Sequence, residues 1–166
     1  MKFGISQSFA CSYLSDEQET LLVYAEETGH STHYEMLMAA GFRRSGAQVY
    51  RPHCAHCHAC QAIRVPVNDF TPSKSQKRIL KRNSDIKVVL SEENKPHYYA
   101  LYAQYINTRH QDGSMYPATP EQYTSFADGH WLNPLFIELH LDGELVGIAV
   151  TDPLENALSA VYTFFK

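Results

Sequence analysis

Residues 135–150 read LFIELHLDGELVGIAV and contain the strongest short turn signal of the chain. Two apolar runs, Leu135–Leu141 and Glu144–Val150, flank the dipeptide Asp142-Gly143. Asp-Gly accepts the positive backbone φ angles that a two-residue hairpin turn requires. The pattern therefore predicts a β-hairpin at this position.

Strands and helices are predicted on both sides of the hairpin. Asp85–Leu90 and Ala157–Phe165 are typical of strands, because β-branched and aromatic residues dominate them. Pro96–Arg109 has an apolar stripe with helical spacing, and Thr119–Phe126 begins with a Thr-Pro pair that favours a helix start. Antiparallel strands that alternate with a few helices predict an α+β fold.

The first half of the chain also contains strand signals. Phe42–Arg51 predicts two short strands around Ser45-Gly46. Gln61–Val67 predicts another strand, which Pro66 would place near a sheet edge because proline has no N–H to donate.

Length and composition limit the classes of protein to consider. A chain of 166 residues forms one compact domain or two small units, and 44% hydrophobic with 19% charged residues is typical of a globular protein. No apolar run reaches the roughly 18 residues that a membrane span needs. The start of the chain, MKFGISQSFACSYL, has one lysine and no uninterrupted apolar core, which argues against a secretory signal. We therefore expect a soluble cytoplasmic protein with no membrane partner.

Positive charge is concentrated in the middle of the chain. The net charge is −4, yet residues 43–87 hold ten of the fourteen Lys and Arg residues and only Asp69 and Asp85 as acids. Such a concentration is typical of a surface that binds a polyanion, although a solvated basic face gives the same pattern.

One segment within this basic region predicts a cationic helix. Ser73 is a good helix cap for SKSQKRILKRN, residues 73–83. Four cations follow at the helical spacing i, i+3, i+4 and i+7, and a fifth comes directly after them: Lys74, Lys77, Arg78, Lys81 and Arg82. One helix face would then carry the first four, which suits contact with phosphates. A solvated surface helix is the alternative.

The cysteines have the spacing of metal ligands. Residues 53–60 read HCAHCHAC, and the four cysteines of the chain are Cys11, Cys54, Cys57 and Cys60. In a reducing compartment, Cys-x2-Cys-x2-Cys favours a metal or cluster site over disulfides. His53, His56 or His58 could replace one thiolate, and both zinc and an iron–sulfur cluster suit this ligand set. The alternative is a metal-free turn with reduced thiols.

An ordered set of motifs resembles a known family. The motifs are Cys11-Ser-Tyr-Leu14, Gly41-Phe-Arg-Arg-Ser-Gly46, Tyr50-Arg-Pro52, Cys54-x2-Cys57-x2-Cys60, Ser73-x-Ser-Gln-x-Arg78, Arg109-His110 and Asp112-Gly-Ser-Met115. Together they resemble the bacterial aspartate/glutamate leucyltransferases, which are relatives of the eukaryotic arginyl-tRNA–protein transferases. The resemblance extends from about Cys11 to the end of the chain.

The resemblance implies both an activity and an architecture. It implies transfer of leucine from leucyl-tRNA to an N-terminal Asp or Glu of an acceptor protein, which marks that protein for N-degron-dependent degradation. It also implies an N-terminal metal- or cluster-associated domain with the basic helix, residues 1–92, joined to an incomplete acetyltransferase-like (GNAT) α/β domain, residues 93–166. Because family members continue beyond the strand Ala157–Phe165, we expect a fragment or a natural truncation.

The same resemblance directs attention to the ligand set. Eukaryotic relatives have a second cysteine in the first motif, where this chain has Leu14. Cys60 is the expected substitute, which leaves Cys11, Cys54, Cys57 and Cys60 as the metal ligands. The transfer chemistry itself requires no cofactor.

Transfer to an acidic N-terminus calls for particular side chains. The acceptor α-amine has a pKa of about 8, so orientation, oxyanion stabilisation and modest base assistance suffice. Arginine recognises a carboxylate best, and Arg43, Arg44 and Arg64 lie near the cysteines in sequence. His110 and Asp112 lie in a polar loop and are candidates for base or orienting roles, with a plain Asp-Gly turn as the alternative. The cationic helix is the candidate tRNA contact.

Two other functions fit parts of the sequence. The chain could be a non-catalytic, metal-stabilised module that binds tRNA or protein. A small-molecule acetyltransferase is a weaker alternative, because the sequence has no evident Gly-rich turn for a pyrophosphate. No pattern in the sequence indicates an oligomeric state.

Overall fold

A computed structural model of the chain describes residues 1–26, 30–129 and 131–166. These residues form ten strands and four helices, and the strands pair antiparallel throughout. The predicted α+β class is therefore confirmed. The acetyltransferase-like and metal-associated parts of that prediction stay predictions. None of the helices in the described ranges is both long and apolar enough to cross a membrane.

The chain forms two compact units. Unit 1 comprises Met1–Ile63 and Gly129–Leu132, and unit 2 comprises Arg64–Asp128 and Asn133–Lys166. The predicted domain boundary between residues 92 and 93 lies inside unit 2. The compact units thus do not coincide with the two predicted domains, and the division into domains stays a prediction.

Unit 1 is built on a small antiparallel sheet. Its elements, in chain order, are β1 (Phe3–Ile5), β2 (Phe9–Ala10), β3 (Gln18–Glu19), β4 (Leu21–Tyr24), α1 (His30–Ala39), β5 (Arg43–Ser45) and β6 (Gln48–Pro52). The sheet has the order β1-β4-β6-β5, and β2 pairs with β3. The two strands predicted around Ser45-Gly46 are confirmed as β5 and β6.

Aromatic side chains form much of the core of unit 1. Tyr24, Tyr34, Phe42 and Val49 are buried. The ring of Trp131 packs edge-on against Tyr34, with 5.0 Å between ring centroids. This contact explains why residues 129–132 belong to unit 1 although they come late in the sequence.

Unit 2 contains the predicted hairpin and helices. Its elements are α2 (Lys74–Arg82), β7 (Lys87–Ser91), α3 (Tyr98–Arg109), α4 (Pro120–Ala127), β8 (Leu135–Leu141), β9 (Glu144–Pro153) and β10 (Leu158–Phe165). The strands form one sheet in the order β10-β9-β8-β7. Every strand and helix that the sequence predicts beyond residue 72 is present. Most ends shift by no more than two residues, the usual uncertainty of element ends, and β9 continues three residues past its predicted end at Val150.

The hairpin between β8 and β9 has the predicted turn. Asp142 and Gly143 have φ angles of 50° and 83°. Both angles lie in the left-handed region, which a type I′ turn requires at its two central positions. The turn sets the register in which Ile137 pairs with Ala149.

Helices α3 and α4 cover one face of the sheet of unit 2. Tyr98, Tyr102 and Ile106 of α3 are at most 1% exposed, as are Phe136, Ile148 and Phe164 of the sheet. These side chains form one hydrophobic cluster. The apolar stripe predicted for α3 is therefore its core face, and the tyrosines are packing residues.

The predicted strand Gln61–Val67 is wrong. No strand forms between β6 and α2 in this described part of the chain. Ile63, Val65 and Val67 are instead 87%, 56% and 80% exposed. Alternating β-branched residues form a strand only where a neighbouring strand accepts their backbone hydrogen bonds, and none pairs with this segment.

Candidate functional site

The cationic helix α2 has the predicted position and cap. Ser73 Oγ accepts from the Gln76 backbone N–H, and the Gln76 side chain accepts from the Ser73 backbone N–H, which forms a capping box. None of the nine residues of the helix is buried. The helix is therefore stabilised locally and exposes its whole surface.

The charges of α2 face solvent. All five cations are exposed, and within the described ranges none forms an ion pair with a carboxylate: Lys74, Lys77, Arg78, Lys81 and Arg82. The helix contains no acidic residue. This arrangement leaves the full charge of the helix available to a polyanion.

The three candidate arginines differ in their surroundings. Arg43 is exposed on β5, and its guanidinium lies 5.2 Å from the ring centroid of Tyr50. Arg44 is only 6% exposed, and its Nη1 donates to the Gly46 carbonyl at 3.3 Å. Arg64 is exposed in unit 2, outside any helix or strand. Arg43 and Arg64 can reach a ligand from solvent, whereas Arg44 contributes to the interior of unit 1.

The candidate base lies at the end of α3. His110 follows the helix, and its ring packs against that of Tyr105 with 4.8 Å between centroids and an angle of 59° between the ring planes. The His110 carbonyl accepts from the Gly113 N–H at 3.0 Å, which forms a tight turn around Asp112. Both residues are exposed, and the two side chains share no hydrogen bond within the described ranges. Their catalytic roles stay predictions.

The four thiols do not form a ligand cluster. Cys11, Cys54 and Cys57 are half-buried, and Cys60 is exposed. Cys54 Sγ lies 4.0 Å from the Thr20 carbonyl, and Cys11 Sγ accepts from the Tyr13 N–H at 3.5 Å. Among the described residues, no group of three or more His, Cys, Asp or Glu side chains is placed to hold a metal ion. The described geometry therefore does not fit a bound metal or cluster, and such a site stays a prediction.

A buried carboxylate was missed in the sequence. Glu138 of β8 is 3% exposed and accepts three hydrogen bonds in unit 2. The donors are Lys95 Nζ at 2.5 Å, the Tyr98 hydroxyl and His140 Nε2 at 2.7 Å. The sequence could have indicated this burial. Residues two apart in a strand lie on the same face, so Glu138 lies on the same face as Phe136 and points inward.

These donors keep Glu138 ionised. Burial alone would raise the pKa of the Glu138 carboxyl, but the hydrogen bonds from Lys95, Tyr98 and His140 outweigh it and lower the pKa to about 2. The hydrogen bond to Glu138 in turn raises the pKa of the Lys95 ammonium. Tyr98 belongs to α3 and Lys95 to the loop before it, so the hydrogen bonds of Glu138 connect that helix to β8.

Part of this group reaches solvent. His140 lines an open pocket of about 510 Å³ together with Asp85, Lys87 and Gly143. One ring nitrogen of His140 is held by Glu138, so the histidine connects the interior of unit 2 with its surface.

A comparison with curated proteins decides the family. The chain is 84% identical over 166 residues to an aspartate/glutamate leucyltransferase of Pseudoalteromonas atlantica, and covers 72% of that protein. The chain belongs to the aspartate/glutamate leucyltransferase family. Other leucyltransferases of the family match too: one of Aeromonas hydrophila is 50% identical, with 99% of the chain and 70% of the relative covered. One of Shewanella oneidensis is 52% identical over 162 residues and is covered to 68%.

Family models agree with this assignment. Residues 9–78 match the model described as arginine-tRNA-protein transferase, N terminus, and residues 97–166 match the model of the C terminus. The first match contains the cysteines, the candidate arginines and α2 as far as Arg78. The second contains His110, Asp112 and Glu138. The recognised resemblance to aspartate/glutamate leucyltransferases is thus confirmed.

Proposed function

We propose that this chain transfers leucine from leucyl-tRNA to an N-terminal Asp or Glu of an acceptor protein. The observation that carries the proposal is the 84% identity over the whole chain with a relative named aspartate/glutamate leucyltransferase. Two family models for tRNA-dependent transfer to proteins support the same reaction class.

The proposed reaction needs no covalent enzyme intermediate. The neutral α-amine of the acceptor attacks the leucyl ester carbonyl, so that a C–N bond forms and the ester C–O bond breaks. The ribose hydroxyl of the tRNA leaves with the proton that the amine loses. A fraction of the amine is already neutral near pH 7, because its pKa is about 8. Holding the two substrates together is then the main contribution of the protein.

The tRNA backbone is the proposed ligand of α2. The helix offers five exposed cations, no acidic residue and no ion pair in the described ranges that would compete for them. Contacts with phosphates are independent of sequence and weaken as salt rises, because binding releases counterions.

We propose Arg43 for recognition of the acidic N-terminus, with Arg64 as a separate candidate, rather than Arg44. Arg43 is exposed, and its stacking on Tyr50 orders a guanidinium that could pair with a carboxylate through two hydrogen bonds. Arg64 is also exposed, whereas Arg44 is buried. Arg43→Lys should lower transfer to an Asp peptide while leaving a basal rate to an Asn peptide unchanged.

Base assistance is proposed for His110, with Asp112 as its orienting neighbour. The support is chemical, since histidine is the side chain that most often serves as a general base and His110 is exposed in a polar loop. His110→Ala should lower the rate of transfer to the Asp peptide.

Intact mass spectrometry of an acceptor peptide tests the function. The chain is incubated with leucyl-tRNA and a peptide that begins with Asp, beside a peptide that begins with Asn. A leucine adduct on the Asp peptide alone is the expected result. The Pseudoalteromonas atlantica relative, assayed in parallel, confirms that the charged tRNA is competent.

A non-catalytic module that binds tRNA or protein is the second candidate. It is favoured by one fact, which is that the chain covers 72% of the most similar relative quoted above. If the relative transfers leucine and this chain only binds tRNA, the binding-module function replaces the transferase. If the chain neither transfers leucine nor binds tRNA, both candidates are wrong.

Two further roles extend the proposal. Leucine addition in the cytoplasm would mark acceptors for N-degron-dependent degradation, so a reporter with N-terminal Asp should have a shorter half-life in cells that express the protein. Zinc or iron–sulfur binding by Cys11, Cys54, Cys57 and Cys60 is tested by metal analysis of the purified protein. Equal metal content in a variant with all four cysteines replaced by Ser would exclude these ligands.

A further inference from the structure

The sheet of unit 2 has two faces of different burial. Residues paired across antiparallel strands lie on the same face, so the pairs Glu138–Ile148 and Ile148–Phe164 define one of them. We call it the inner face, and α3 and α4 pack on it. Ile148 and Phe164 are both fully buried there.

The opposite face, which we call the outer face, is also apolar. Two rows of paired residues cross all four strands there: Val88, Leu139, Gly147 and Phe165 in one row, and Leu90, Ile137, Ala149 and Thr163 in the other. Thr163 is the one polar residue among the eight. A Cβ on Gly147 would lie 3.1 Å from Leu139 Cδ1 and 3.4 Å from Phe165 Cβ, so side chains of both neighbouring strands flank the glycine in the first row.

The edge strands β7 and β10 expose their apolar residues on this outer face, whereas Ile137, Leu139 and Ala149 of the central strands are half-buried. Val88, Leu90 and Phe165 are 58%, 63% and 43% exposed. Helices α3 and α4 lie on the inner face, and α2, the remaining described helix of unit 2, has no buried residue and so packs on neither. Contiguous apolar patches of this kind on soluble proteins usually mark a binding surface.

The strand sequences are those of a sheet covered on both sides. A sheet with one wet face alternates apolar and polar residues, whereas strands buried on both faces are apolar nearly throughout. The run LFIELHL of β8 has Glu138 and His140 as its polar residues, and the two are hydrogen-bonded to each other, with Glu138 buried on the inner face and His140 half-buried. Four strands span about 14 Å, which accommodates one helix of about 10–12 Å diameter.

We propose that the outer face binds the part of the longer leucyltransferases that this chain does not match. The chain covers 72%, 70% and 68% of three relatives, so each carries additional polypeptide beyond the matched region. The matched region of the most similar of these three includes the complete outer face, because it extends over all 166 residues. The occupant is a polypeptide segment with an apolar face, and this inference rests on family membership rather than on the proposed function.

A linked segment is favoured over a second copy of the chain. Linkage gives a segment an effective concentration in the millimolar range, which exceeds the concentration of a second copy in solution.

Hydroxyl-radical footprinting tests the occupant. The chain is compared with an extended form, in which the unmatched remainder of the Pseudoalteromonas atlantica relative is joined to it in the order that the relative has. Oxidation of Leu90 and Phe165 should be at least several-fold slower in the extended form. Val67, 80% exposed and outside the sheet, is the control and should react equally in both. Equal oxidation of Leu90 and Phe165 in the two forms would contradict the proposal.

A charge on the outer face provides the second test. Leu90→Asp should leave the melting temperature of the 166-residue chain nearly unchanged, because Leu90 is exposed there. In the extended form the same substitution should lower it by about 5 °C or more. Val67→Asp is the matched control and should change neither form. An equal effect of Leu90→Asp on both forms overturns the proposal, as does a dimer of the 166-residue chain in which Leu90 is protected.

Discussion

Helices α2 and α3 contrast in what stabilises them. Helix α2 has a capping box and five cations, and all of its residues are exposed. Helix α3 has no side-chain cap on His97, but it buries four residues: Tyr98, Leu101, Tyr102 and Ile106. The first helix is stabilised by residues close in sequence and the second by contacts with β8, β9 and β10.

The difference separates function from stability within one unit. Because α2 buries nothing, its side chains can change with little effect on folding, and its surface is available for a ligand. Because α3 is held by Phe164 and Glu138, substitutions there act on the folding of unit 2. Four predictions test this separation, in order of decreasing expected effect.

Removal of a core ring should have the largest effect. Phe164→Ala should lower the free energy of unfolding of unit 2 by about 3–5 kcal/mol, because Phe164 is fully buried and packs on Tyr102 and Tyr123. Leu80→Ala in α2 is the control, with a change within about 0.5 kcal/mol, since Leu80 is 64% exposed. Amide exchange of β9 reports the change, because Trp131, the one tryptophan, lies in unit 1. Similar losses in both variants would remove the contrast.

Loss of the buried charge should come next. Glu138→Gln should lower the free energy of unfolding of unit 2 by about 2–4 kcal/mol near pH 7, since three donors lose a charged acceptor. The pKa of Glu138 in the folded protein, about 2, is below its ordinary value of 4.5. The contribution of ionised Glu138 to the free energy of unfolding is therefore present above pH 4.5 and is lost as the pH falls towards 2.

The pH dependence of stability must be measured as the difference between the wild type and Glu138→Gln. The pKa of Glu26 in unit 1 is also lowered to about 2, mainly by its hydrogen bond from Tyr24, so Glu26 titrates in the same range. Amide exchange of unit 2 should give a wild-type minus Glu138→Gln difference that shrinks between pH 4.5 and 2. A constant difference across that range would show that Glu138 is not ionised in the folded state.

Charge reversal on α2 should affect tRNA binding and not folding. The variant Lys77→Glu/Lys81→Glu should bind tRNA about tenfold or more weakly near 0.1 M salt, with a smaller dependence of affinity on salt. The variant Lys2→Glu/Lys87→Glu changes the net charge equally at exposed positions outside the helix. Filter binding at several salt concentrations measures both variants. If they lose affinity equally, overall charge rather than α2 attracts the tRNA.

The smallest effect distinguishes two tyrosines one helical turn apart in α3. Tyr98 donates to Glu138, so Tyr98→Phe should lower the free energy of unfolding of unit 2 by about 1–2 kcal/mol. The buried hydroxyl of Tyr102 makes no hydrogen bond within the described ranges, and burial raises its pKa to about 12. Tyr102→Phe should leave stability unchanged or raise it by up to about 1 kcal/mol. Calorimetry compares the two, and equal losses would mean that the Tyr102 hydroxyl has a partner.

Local signals in the sequence were sufficient for several elements. Asp142-Gly143 predicted the hairpin, Ser73 predicted the start of α2, and Thr119-Pro120 predicted the start of α4. Each signal depends on the backbone preferences of a few neighbouring residues, which is why these predictions are confirmed. The segment Gln61–Val67 lacks a pairing strand, and its alternation of apolar residues was therefore misleading.

Only part of the candidate site could be predicted from the sequence. The sequence identified the cationic face of α2, because helical spacing places those residues together wherever the helix lies. It did not distinguish exposed Arg43 from buried Arg44, which are adjacent in sequence and on opposite faces of β5. Spacing also grouped the cysteines as ligands, whereas the described residues do not bring three ligands together.

Short-range chemistry thus accounts for the hairpin, the caps and the cationic helix, and the motif order was enough to recognise the family. Which side chains are buried was determined by the tertiary structure. Lys95 and Tyr98 meet Glu138 across 43 and 40 residues of sequence, and no local pattern specifies such a contact. The exposure of the outer face has the same origin. The sequence of a strand shows which of its faces is apolar, but the packing of distant elements determines whether that face is covered.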